Sequence, residues 1–146
     1  MRTILPALLL ALSSSLTVRS PGQGVQSSGL AESTGNCGHI GSAYVRTTLY
    51  FGLTRPSGVI ADAQWKAFLR TEVTPRFPQG LTTWEADGQW QRDDGRISRE
   101  RAKVLLLVHD ESSTTRAALQ QIVQRYKASF QQQSVLWETA RVCAAF

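Results

Sequence analysis

Ala102-Lys103-Val104-Leu105-Leu106-Leu107-Val108-His109 holds five consecutive apolar residues with a valine at each end of the run. An apolar run without alternation suits a central strand covered on both faces, so this stretch makes a sheet the organising layer of the fold. Upstream of it, Asp93-Asp94-Gly95 reads as a turn. Residues 81–86 read as another strand, which Asp87-Gly88 interrupts as a tight turn or bulge before Gln89-Trp90 continues it. Downstream, Leu119, Ile122, Val123, Tyr126 and Phe130 fall on one stripe of a helix over 114–131, with Ser113 or Thr114 as its N-cap. A last strand follows over 135–146.

The first half of the pattern repeats these elements. Over 44–53, Val45, Thr47, Leu49, Phe51 and Leu53 alternate with Tyr44, Arg46, Thr48, Tyr50 and Gly52, a strand with two distinct faces. Arg55-Pro56-Ser57-Gly58 turns, and a helix opening at Asp62 places Trp65, Phe68 and Leu69 on one side. Thr74-Pro75-Arg76-Phe77-Pro78-Gln79-Gly80-Leu81-Thr82 then ends that helix. Each proline fixes its own φ and pushes the residue before it, Thr74 or Phe77, out of the α region. The result is a stiff corner with Phe77 as a hydrophobic plug and Arg76 as a pre-organised donor fork. The order β-α-β-β-α-β predicts an α+β fold, a ferredoxin-like sandwich with two helices on one face of a four-stranded antiparallel sheet. The other face, apolar at its centre, then packs against another subunit or encloses a ligand, and a homodimer is expected. Arg46, Thr48 and Tyr50 point toward that face.

Residues 1–20 read as a signal peptide: Met1-Arg2-Thr3 is a short positive segment, and the apolar run over 4–16 is too short to span a bilayer. Residues 21–43, rich in Gly, Ser and Gln without an apolar period, read as a flexible tether. That leaves 44–146 as a single domain with one core. A periplasmic or secreted location follows, with no stable membrane insertion once the signal is cleaved. The formal charge is +5, but an exported protein rarely meets nucleic acid, so no nucleic-acid partner is expected. Two cysteines in an exported chain point to a Cys37–Cys143 disulfide. Cys37-Gly38-His39 as a metal site is the competing reading, and with two cysteines and two histidines in all it is the weaker one.

Walker loops, Gly-x-Ser-x-Gly elbows, His-Glu-x-x-His and Cys-x-x-Cys are absent, so the common nucleotide, serine-hydrolase and zinc chemistries have no support, and no cofactor or metal is expected. The candidate ligand-binding set is Arg76, Tyr50, Gln89, Arg99 and Glu100. Arginine neutralises an acid, glutamine and tyrosine orient a carbonyl or hydroxyl, and glutamate moves a proton. The favoured function is binding of a small acidic ligand or a protein partner; the alternative is a cofactor-independent isomerase or lyase working by proton transfer at a dimer interface. A structural role competes with both, in which Arg76 pairs with Glu72 or Glu100 and Gln89 bonds strand backbone. His109 beside Asp110 is an ordinary strand end by the alternation of strand side chains.

Thr48-Leu49-Tyr50-Phe51-Gly52-Leu53, Trp65 with Phe68, the 74–82 block, Gly88-Gln89-Trp90, Arg99-Glu100-Arg101 and Gln133-Ser134-Val135 together resemble the bacterial family catalogued as domain of unknown function 3574. The resemblance runs from about Arg46 to Phe146. It implies a small exported protein and brings no established activity.

Overall fold

The computed structural model describes residues 37–146. The expected signal peptide, and the tether as far as residue 36, lie outside the described residues. The described chain begins with β1 (Ser42–Gly52), followed by a small hairpin of β2 (Thr54–Arg55) and β3 (Gly58–Val59). Next come α1 (Asp62–Phe68), continued by a π-helical turn (Leu69–Val73), and then β4 (Thr82–Gln91), β5 (Ile97–His109), α2 (Ser113–Phe130) and β6 (Leu136–Ala144). The main sheet is antiparallel in the order β4-β5-β1-β6. This is the expected ferredoxin-like α+β arrangement, with the Val104–Val108 run on β5, one of the two central strands.

Strand parity sets the two sides. Leu49 and Phe51 on β1 share a face with Leu105 and Leu107 on β5, and that face meets Trp65, Phe68, Leu119, Ile122, Tyr126 and Phe130 from the helices. Both helices therefore cover the same side. Aromatic contacts fill the centre: Phe51 lies 4.5 Å from Tyr126 and 5.2 Å from Trp65 between ring centroids, and Tyr126 lies 4.8 Å from Phe130. Such pairs contribute about 0.5–1.5 kcal/mol each beyond the area they bury. The Tyr126 hydroxyl donates to the Gly52 carbonyl at 2.8 Å, so its one polar atom is satisfied, and burial pushes the phenol pKa up.

Lys103 is the one lysine on the core side of β5, and it is nearly buried. Its ammonium reaches Asp62 Oδ1 at 3.0 Å and Glu85 Oε1 at 2.5 Å, joining the start of α1 to β4 and β5. Hydrogen bonds from Lys66 and Lys103 hold the Asp62 carboxyl below its ordinary range, and those from Lys103 and Arg101 do the same for Glu85. The bond to Glu85 in turn raises the Lys103 pKa.

Several local expectations are corrected. Asp87-Gly88 neither turns nor bulges: β4 pairs with β5 in unbroken register from Thr82↔Leu106 to Gln91↔Ile97. The ladder overrides the turn preference of the dipeptide, and the chain reverses between β4 and β5 only at the expected Asp93-Asp94-Gly95 turn, where Gly95 takes φ 81° and the Arg92 amide donates to the Arg96 carbonyl at 2.9 Å. Thr74 stays in the α region, at φ −54° and ψ −41°, despite the proline after it. The widened π turn explains this: the Thr74 amide donates to the Leu69 carbonyl at 2.8 Å, and Pro75, which has no amide hydrogen, follows where none is required. The N-cap of α2 is Ser112, whose hydroxyl accepts from the Thr115 amide at 3.1 Å, not Ser113 or Thr114. β5 begins at Ile97, five residues earlier than the apolar run suggested, because its first part pairs with β4 alone.

Cys37 and Cys143 form a disulfide with 5.4 Å between Cα atoms, tying the segment ahead of β1 to β6. No group of metal-ligating side chains occurs among the described residues, so Cys37-Gly38-His39 finds no further donors there. No described helix is long and apolar enough to cross a membrane.

Candidate functional site

The five residues expected to bind a ligand occupy three places. Arg76 lies in the helix layer. Its Nη1 donates to the Glu72 carbonyl at 2.6 Å and to Glu72 Oε2 at 3.2 Å, and its Nε donates to Gln121 Oε1 at 3.3 Å. Phe77 is buried in the core as the plug reading expects, and the guanidinium is already engaged: it staples the π turn to α2. Gln89 and Arg99 stand directly opposite each other in the β4–β5 hairpin, where with Glu100 they line a shallow groove. Glu100 Oε1 accepts from the Thr54 amide at 2.9 Å. Tyr50 sits at the middle of the sheet, opposite Val104, four residues along β5 from Glu100. Gln89 and Arg99 stand together on the helix side of the hairpin, and Glu100 borders the same groove while its carboxylate reaches across the other face to Thr54; Tyr50 and Arg76 are separate from them and from each other.

What surrounds Tyr50 is set by register. Trp84 on β4 is opposite Val104 on β5, Val104 is opposite Tyr50 on β1, and Tyr50 is opposite Leu136 on β6. These four residues form one row across the whole sheet, on the side away from the helices. Val104 at its centre is fully buried, whereas Trp84 is 43% exposed and Leu136 62% exposed. The neighbouring row, Thr82, Leu106, Thr48 and Glu138, keeps Thr48 buried, and the Tyr50 hydroxyl donates to Glu138 Oε1 at 3.4 Å. On the other flank, Ala86 and Ala102 are opposite each other and Gly52 is opposite Ala102, a lane of small residues beyond which Trp90 stands 54% exposed.

The face therefore carries two exposed indoles around a dry centre at Val104, with the Glu100 carboxylate covering the Gly52 end of the small-residue lane. Tryptophan and tyrosine are among the residue types that dominate protein interfaces. The open face was foreseeable from the apolar run on β5, and Tyr50 from the alternation on β1. The partnership of Trp84 and Leu136 with Tyr50 was not, because it depends on the exact register of three strand pairs.

Residues 46–146 match the sequence family described as protein of unknown function (DUF3574). No curated protein matches the chain. Among solved structures, a phage SAM lyase in complex with S-methyl-5′-thioadenosine is similar, with a TM-score of 0.56 and 14% sequence identity over 72% of this chain and 86% of that one. The same lyase in its apo state gives a TM-score of 0.54 and 13% identity over the same shares. CutA from Synechococcus elongatus, complexed with Bis-Tris, gives 0.48 and 11% over 73% of this chain and 88% of its own. At these identities the likeness to the lyase shows a shared fold.

Proposed function

The chain belongs to the DUF3574 family, and on that footing we propose that it is an exported binding domain that pairs with a second copy of itself through the open sheet face. The row Trp84, Val104, Tyr50 and Leu136 carries this reading, since it leaves two large apolar side chains in water around a centre that is already dry. Four strands about 4.8 Å apart and about nine residues at about 3.3 Å each give a face of roughly 600 Å². Two such faces bury roughly 1,200 Å², the lower end of the range for stable interfaces. Export is supported by the short apolar segment at the N-terminus and by the disulfide, which suits an oxidising compartment.

Sedimentation equilibrium of the disulfide-bonded protein at micromolar concentration tests the pairing. The expected mass is twice that of one chain, and Trp84→Glu should return it to a single chain while leaving the circular dichroism unchanged. A wild-type protein that sediments as one chain would remove the basis of the reading.

An isomerase or lyase built on Tyr50, Arg76 and Glu100 needs those groups around one space. Arg76 stands on the helix side of the sheet and Tyr50 on the other, so within one chain this set cannot act together. Equally, a small acidic ligand at Arg76 would have to displace Glu72 from the guanidinium.

A further inference from the structure

The helix layer does not roof the whole sheet. Two helices lie over four strands, and a cleft of about 460 Å³ opens between the first turns of α2 and the ends of β1, β5 and β6. It lies on the opposite side of the sheet from the pairing face. Val45, Leu119 and Trp137 supply apolar surface to it, the first two buried and the third half-buried. A volume of this size is within the range of small-molecule sites.

Five of the eight polar residues around the cleft are engaged with one another or with neighbouring groups. His109 Nδ1 lies 2.7 Å from the Asp110 carbonyl, which can only accept, so Nδ1 carries the proton. Nε2 of the same ring lies 2.8 Å from the Thr47 hydroxyl oxygen, within hydrogen-bond distance. Thr47 is fully buried, and the pair closes one wall without leaving a donor or acceptor for a ligand to desolvate. Asp110 accepts from the Thr115 hydroxyl at 2.6 Å, and this bond, with that from Ser112, holds its carboxyl below the ordinary range. Glu111 pairs with Arg141 at 3.2 Å.

Arg116, Gln120 and Thr139 line the cleft without a side-chain partner among the described residues, and of these Arg116 alone is charged. No carboxylate pairs with it among the described residues, and the first turn of α2 around it contains no acidic residue. The positive end of the helix dipole adds to its charge. From the cleft, its apolar floor and this unpaired guanidinium together, we infer that the domain has a second, separate site for a small monocarboxylic acid with a hydrophobic body. The body rests on Val45, Leu119 and Trp137, and the carboxylate takes the two parallel N–H donors of Arg116. A dianion is disfavoured, because Asp110 and Glu111 stand on the same rim and only one cation is free to balance the charge.

Isothermal titration of the disulfide-bonded full chain with 3-phenylpropionate tests this directly. 3-Phenylpropanol keeps the body without the charge, acetate keeps the charge without the body, and inorganic phosphate supplies a dianion. Saturable binding of 3-phenylpropionate in the millimolar range or tighter is expected, with each comparator at least about tenfold weaker. Arg116→Ala, at an exposed position, should weaken the acid by about tenfold or more, and Arg125→Ala, on the same helix and outside the cleft, should not. Thr139→Trp, at the exposed edge strand, should block the cleft and abolish binding at unchanged circular dichroism. Absence of saturable binding, equal binding of the alcohol or phosphate, or indifference to Arg116→Ala would each overturn the assignment. Since Trp84→Glu affects only the opposite face, binding in that variant is expected to persist, whatever the outcome for pairing.

Discussion

The Glu100 carboxylate fills the space that a side chain on Gly52 would need: a Cβ built there stands 2.5 Å from Oε1 and 2.8 Å from Cδ. The same Oε1 accepts from the Thr54 amide at 2.9 Å, just where β1 ends and the β2–β3 hairpin begins. A bare backbone at residue 52 thus lets one carboxylate reach across from β5 and fix the exit of β1. Gly52→Ala should force Glu100 aside, leave the Thr54 amide without its acceptor and destabilise the fold by about 1–2 kcal/mol. In a Glu100→Ala background the same substitution should cost much less. A double-mutant cycle from urea midpoints measures this coupling, and strict additivity would show that the two residues do not interact.

Arg76 acts through its own fork geometry. It bonds the Glu72 carbonyl, the Glu72 carboxylate and Gln121, and it is about three-quarters buried, with 25% of the side chain exposed. Arg76→Ala is expected to lower stability by about 1–2 kcal/mol, less than the sum of its bonds because water reaches the site. Arg76→Lys should recover only part of that, since a single ammonium cannot reach both partners with parallel donors. Full recovery by lysine would show that charge alone matters there.

The network around Lys103 predicts how stability follows pH. Asp62 and Glu85 titrate lower in the folded chain than unfolded, so their contribution is present above the unfolded carboxylate values and is lost as pH falls through the folded ones. Lys103 titrates higher when folded, so its contribution is present below the unfolded lysine value and is lost as pH rises through the folded one. Stability should therefore form a plateau around neutrality, with an acid limb to which Asp62 and Glu85 contribute together with Asp94 and Asp110, whose carboxyls are also held low by their hydrogen bonds. Lys103→Met keeps the volume and leaves Asp62 with Lys66 alone and Glu85 with Arg101 alone, so the acid limb should become shallower without disappearing. An unchanged acid limb in denaturation midpoints measured from neutral to acidic pH would place the pH dependence elsewhere.

The readable part of this fold is the part governed by local period. Alternation over β1 correctly assigned Val45, Thr47, Leu49, Phe51 and Leu53 to the core side, because a helix layer on one face demands a period of two. The stripe of Leu119, Ile122, Tyr126 and Phe130 was equally clear. Asp87-Gly88 misled because its turn preference is local, whereas the ladder holding it straight involves residues on β5 that the dipeptide cannot reveal. Ser112, Ser113 and Thr114 are near-equivalent caps by residue type, and only the position of the preceding strand end distinguishes them. Arg76 was singled out correctly as a constrained guanidinium, but its partner Gln121 lies 45 residues away. Arg116 carried no local signal at all: its role depends on a cleft made by elements from four parts of the chain.

The Cys37–Cys143 bond spans 106 residues and lies outside the hydrophobic core. It is reached through the β1–β6 ladder, in which Cys143 pairs with Ala43, so Cys37 needs only the short turn over 38–41 to come back to it. Gly41 makes that return possible: a Cβ there would stand 2.3 Å from the Ala144 carbonyl oxygen, and its φ of 131° is one that other residues rarely adopt. Closing a loop of this length restricts the unfolded chain by up to about 4–5 kcal/mol in the chain-entropy model. The core aromatics contact one another without involving either cysteine, and β6 is held to β1 by its backbone ladder, so the bond should add stability and leave the architecture unchanged. Mass spectrometry of the non-reduced protein is expected to find the two cysteine peptides joined. Reduction, or a Cys37→Ser and Cys143→Ser double substitution, should lower the urea midpoint while preserving the far-ultraviolet spectrum. Loss of that spectrum on reduction would mean that the sheet depends on the clip and that β6 is not held by its ladder with β1.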